Sequence, residues 1–143
     1  MVHKKAKEVA PDVQYEFDML EWAYKKLSSD ALNTTNKRNA YGECFLIHAR
    51  NLIDFFVPPC RRRDDDVFAS HFFDEPEKWE EHESDLCQYA RKERDDINKT
   101  LAHLTYRRIS EKNWNEERIS NGLETAKSKF LGLLAPEQRR WFK

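Results

Sequence analysis

Between residues 36 and 57, side chains of one kind return at every third or fourth position: Tyr41, Phe45, Ala49, Leu52, Phe55 and Phe56, with His48 among them. At about 100° per residue they occupy one broad side of a helix, and Glu43, Arg50 and Asp54 fall opposite. Arg50 and Asp54 stand four apart, a spacing that predicts an ion pair worth a few tenths of a kcal/mol. Pro58-Pro59 ends the segment, because neither ring can donate a backbone hydrogen bond and each disfavours helix in the residue before it. Only three glycines and five prolines are spread over 143 residues. That is too few turn signals for a sheet of many short strands.

Three further segments carry the same period. In residues 12–29, Val13, Phe17, Leu20, Tyr24 and Leu27 share a face, with Asp12 after Pro11 as the expected N-cap. Residues 85–108 place Leu86, Ala90, Ile97, Leu101 and Leu104 on one side. Arg94 interrupts that line and predicts a bend over residues 94–96. The last segment opens at Ser110, an N-cap residue followed by Glu111, with Ile109 and Trp114 spaced for a hydrophobic staple. Trp114, Ile119, Leu123, Ala126, Phe130 and Leu134 then run to Pro136, and Trp141 with Phe142 is expected to fold back on the body. The joint of residues 58–84 is long for a bundle. Its Phe68, Phe72, Phe73 and Trp79 predict a short helix packed over the bundle mouth. The expected architecture is all-α: a single domain over residues 1–143, a four-helix bundle with a short helix in the joint between helices two and three, and a flexible N-terminus over residues 1–11.

Charge excludes some partners. Charged residues make up 36% of the chain yet nearly cancel, at net −1, so no global field draws nucleic acid or anionic lipid. Basic clusters remain at Arg61–Arg63, Arg107-Arg108 and Arg139-Arg140. Nine Phe, five Tyr and four Trp supply ample apolar area for a core and argue against disorder. No apolar run approaches the roughly 20 residues of a membrane span. Three cysteines, Cys44, Cys60 and Cys87, form no Cys-x-x-Cys pair, and reduced thiols in the cytoplasm are the simplest reading.

Residues 97–106 carry the candidate chemistry. Ile97, Leu101 and Leu104 point one way, while Lys99, His103, Tyr106 and Arg107 point the other. Cationic and aromatic groups around an imidazole suit an anion or phosphate, since Lys and Arg hold charge and His exchanges a proton near neutral pH. A solvated helix face is the bland alternative. His48 lies within the apolar side of its helix with Asn51 at the margin. It is expected either as a buried, hydrogen-bonded histidine or as half of a polar pocket shared with His103.

The segment from Asn98 to His103, on the third long helix of a compact helical unit, resembles the HEPN superfamily. That family's signature is an arginine followed four to six residues later by histidine, with a polar residue, often asparagine, directly after the arginine. Asn98 matches the polar position and His103 the histidine, but Ile97 stands where the arginine belongs. Arg94, the nearest arginine upstream, lies outside the signature's spacing. The resemblance implies a homodimer whose cleft, in active members, cleaves RNA without a metal. Isoleucine can neither carry charge nor donate a hydrogen bond to a scissile phosphate. The reading favoured here is therefore a non-catalytic interaction and dimerisation module of a prokaryotic defence or toxin–antitoxin system, with RNA or a protein as partner. The alternative is a ribonuclease with His103 as acid or base, Asn98 beside it, and Arg94 or Arg107 as the cation.

Other chemistries find no motif. Di-metal bundles use Glu-x-x-His, which is absent, and the acids and histidines of residues 64–66, 71 and 80–83 are expected in the joint as an unbuilt group. Neither a Gly-x-Ser-x-Gly element nor a phosphate loop occurs, and no cofactor is called for.

Overall fold

A computed structural model describes residues 1–29, 34–101 and 115–143. Among them run four long helices, α1 (Ala6–Leu27), α2 (Thr35–Phe56), α3 (Glu77–Leu101) and α4 (Glu116–Leu133), then the one-turn α5 (Pro136–Arg139). A 3-10 turn, Ala69–Phe72, lies in the joint between α2 and α3, and no strand occurs among the described residues. The chain is thus the expected all-α bundle with a short helix in its joint. No helix among the described residues is long and apolar enough to cross a membrane.

α1 begins at Ala6, not at Asp12, and Pro11 stands inside it. Ala6 and Ala10, both buried, extend the Val13–Phe17–Leu20 stripe backward at helical spacing. Packing of that extension outweighs the hydrogen bond that Pro11 removes. Residues 6–11, expected to form part of a flexible terminus, are helical. The His3 backbone N–H also donates to the His71 carbonyl at 2.9 Å. α2 starts where Thr34 accepts a hydrogen bond from the Lys37 N–H at 3.2 Å. It ends, as expected, before the two prolines.

α3 begins eight residues earlier than the periodicity predicts. The carbonyl of Pro76 accepts from the Trp79 and Glu80 N–H groups, so the acidic stretch after it forms the opening turns of the helix. Glu77 and Glu80 there suit the positive helix end. The predicted bend at residues 94–96 is absent: α3 is helical through all three. Arg94 needs no bend because its guanidinium has partners. Its Nε donates to Asp54 at 2.7 Å, and a terminal nitrogen donates to the Val57 carbonyl. Asp54 is therefore taken by Arg94 rather than by Arg50. Trp79 donates its indole N–H to the Phe56 carbonyl at 2.9 Å. Two α3 side chains thus satisfy carbonyls at the C-terminal end of α2, where helices leave acceptors without partners.

An aromatic cluster sits at the middle of the core. Phe130 of α4 is packed by Phe55 and Phe56 of α2, Phe72 and Phe73 of the joint, Trp79 of α3 and Phe142 beyond α5. Phe68, Phe72, Phe73 and Trp79 are all buried, so the joint covers the bundle as expected. Ile119, Leu123, Ala126, Phe130 and Leu134 form the inner face of α4. Asn115 caps α4, its side chain accepting from Arg118 N–H at 3.0 Å. The expected cap Ser110 and the staple of Ile109 and Trp114 lie outside the described residues. Phe142 returns to the core against Phe17, Phe72 and Phe130, with Trp141 beside Phe72.

Candidate functional site on the α1–α2 seam

His48 and Asn51 meet on one carboxylate, Glu16 of α1. The His48 Nδ1–H donates to Glu16 Oε2 at 2.5 Å, and the Asn51 side-chain amide donates to Oε1 at 3.1 Å. A carboxylate only accepts, so this pairing places the proton on Nδ1 and leaves Nε2 as the free ring position. His48 is buried, and Tyr15 stands edge-on to its ring with centroids 5.6 Å apart. The arrangement is a satisfied histidine at the margin of an interhelical seam, the bland expectation for this residue. Glu16 was not among the candidates; finding it needed the pairing register of the two helices, which one sequence does not print.

That register is now readable. On the outer side of the helix pair Tyr15 packs on His48 and Trp22 on Tyr41, so the residue numbers at these two contacts share one sum. Met19 and Cys44 fall at the same sum, midway between them. Tyr15, Trp22 and Ile47 are 54%, 44% and 42% exposed, which makes the seam an apolar strip open to solvent. Burial, then the charge of Glu16, pushes the Cys44 thiol up, so this cysteine is a poor nucleophile beside its histidine.

The remaining candidates separate. Arg94 is bound to Asp54 and the Val57 carbonyl, and Lys99 pairs with Asp95 one turn back at 2.9 Å. Asn98 is half-buried, and Ile97 is fully buried in the core. His103, Tyr106 and Arg107 lie outside the described residues, so the pocket expected between His48 and His103 does as well.

Two polar groupings escaped the sequence reading. Glu93 of α3 is 1% exposed and accepts from the Arg118 guanidinium of α4 at 2.7 Å. Tyr89 donates its hydroxyl to the Ile119 carbonyl at 2.7 Å. Burial drives the Tyr89 pKa far above the ordinary phenol range; Glu93 adds to the shift and Arg118 opposes it. Elsewhere, His3 stacks on His71 with centroids 5.0 Å apart, at the edge of a cleft of about 460 Å³ that Lys4, Lys5, Asp64 and Asp65 also line. Each ring accepts a backbone N–H at Nδ1, from Lys5 and Phe68 respectively. Burial and then His3 lower the His71 pKa. Among the described residues no three His, Cys, Asp or Glu side chains converge as a metal site would require.

Comparison with protein-family models, curated proteins and solved structures finds no match to this chain. The site must be read from its own chemistry.

Proposed function

We propose that the chain is a non-catalytic helical interaction module whose working surface is the α1–α2 seam. The observation that carries this reading is the exposed apolar strip of Tyr15, Trp22 and Ile47 on an otherwise highly charged chain. The resemblance of residues 98–103 to the HEPN signature supports reading the module as part of a cytoplasmic prokaryotic defence or toxin–antitoxin system. The form of the ribonuclease alternative that takes Arg94 as its cation is disfavoured by the engagement of that residue; Arg107 lies outside the described residues. A guanidinium that closes the end of α2 and holds Asp54 would have to abandon both partners to meet a phosphate.

The test is direct. Purified protein incubated with structured and single-stranded RNAs in the presence of a chelator is expected to leave them intact. Arg94→Ala is expected to lower the melting temperature, as befits a residue that ties α3 to α2. Chelator-resistant cleavage that His103→Ala abolishes without moving the melting temperature would overturn the proposal.

A further inference from the structure

On the outer side of α1, Glu8, Asp12, Tyr15, Met19, Trp22 and Lys26 follow one another at alternating intervals of four and three residues. Lys37, Tyr41, Cys44, His48 and Asn51 do the same along α2. This 3.5-residue spacing is that of a coiled-coil seam, narrower than the face a helix needs for its own core. α1 already buries a separate stripe, Ala6, Ala10, Val13, Phe17 and Leu20. It therefore presents a second helical seam to solvent.

The ends of that seam differ in charge. Near the α1–α2 connection it carries Lys26 and Lys37, both exposed; at the other end of α1 it carries Glu8 and Asp12, also exposed. Its middle, Met19 and Cys44, is uncharged. Asp12 and Lys26 lie seven residues on either side of Met19, so the α1 half of the strip is complementary to its own reverse, while on α2 Lys37 would meet the uncharged Asn51.

We infer that the partner of this seam is a second copy of the chain, packed α1 against α1 and α2 against α2, antiparallel, about a two-fold axis that crosses Met19 and Cys44. The inference rests on the interaction reading above and names its partner. Only two in-plane two-fold axes bring the seams face to face. The axis along the helices sets Lys26 and Lys37 against the same cations of the partner. The axis across them sets Asp12 against Lys26, and each Trp22 over the Glu16–His48 pair of the other copy. Charge selects the second.

The strip from Asp12 to Lys26 is about 22 Å long at 1.5 Å per residue, and two helices are roughly 20 Å wide. Such a contact buries on the order of 900 Å² in total, the range of weak, reversible association.

Sedimentation equilibrium from about 5 to 200 µM at low salt is expected to show a monomer–dimer equilibrium. Trp22→Asp should weaken it by at least about thirtyfold with the helical spectrum kept and only a modest fall in melting temperature from the lost packing on Tyr41, because it removes a central aromatic anchor of the contact. Lys26→Glu should weaken it severalfold, and Asp12→Lys combined with Lys26→Glu should restore it. A monomer at every concentration would overturn the second-copy inference while leaving the interaction reading to another partner. A dimer indifferent to Trp22→Asp or unrescued by the double charge swap would overturn it equally.

Discussion

Gly122 is the position where α4 approaches α3 too closely for any side chain. A Cβ built there would lie 2.4 Å from Cε2 and Cζ of Tyr89 and 2.7 Å from its hydroxyl. The ring is held in that place by its hydrogen bond to Ile119, on the same helix as the glycine. Gly122→Ala carries two opposed effects. An alanine inside a helix is favoured over glycine by about 1 kcal/mol. Against this, the ring must move, at a cost of about 1–3 kcal/mol for overpacking, and its hydrogen bond, worth about 1 kcal/mol, is lost or strained. The balance is a destabilisation of about 1–3 kcal/mol, a fall of roughly 3–12 °C in melting temperature for a chain of this size. Thermal unfolding followed by circular dichroism measures it. The sign should invert when the ring is gone: in a Tyr89→Ala background, Gly122→Ala is expected to raise the melting temperature. An increase in the wild-type background would refute the steric reasoning.

Three further outcomes are expected. Arg118→Met leaves the Glu93 carboxylate buried without its partner and should cost about 3 kcal/mol in urea unfolding, more than Glu93→Gln, which removes the buried charge itself. Trp79→Phe deletes a buried indole donor and opens a small void, and about 2 kcal/mol of stability should be lost with it; an unchanged urea midpoint would contradict the role given to the bond with Phe56. Because the folded state lowers the pKa of His71, it holds fewer protons there than the unfolded chain. This contribution is therefore complete above the ordinary imidazole value of about 6.5 and is lost as pH falls below it. Melting temperatures recorded from pH 7.5 to 5 should consequently fall more steeply for the wild type than for His71→Gln, and parallel slopes would count against the assignment.

Much of the fold is legible in the sequence, because α2 and the inner face of α4 repeat their apolar residues at helical spacing and bury them as the period demands. What misled the reading was local. Along α3, Leu86, Ala90, Glu93 and Ile97 form an unbroken line at intervals of four, three and four, and Glu93 occupies a core position within it. The charged residue that interrupts the stripe is thus Glu93, not Arg94, and it signals a buried ion pair rather than a bend. Its partner Arg118 comes from another helix and leaves no trace at short range. At the start of α1, Pro11 suggested a boundary, but helix N-terminal turns survive a proline when alanines behind it pack. The chemistry of His48 was half visible: the histidine and asparagine share a face, whereas the carboxylate that holds both sits on α1. Nothing in the described residues tests the role expected of His103.

Because the ring of Phe130 is wedged among side chains from α2, the joint, α3 and the turn after α5, the long joint has no private stability to lose. Residues 68–73 cannot lift away without uncovering the middle of the bundle. Their protected amides should therefore exchange with solvent deuterium only as fast as those of the buried helices, and a segment with a single turn of helix behaves as masonry.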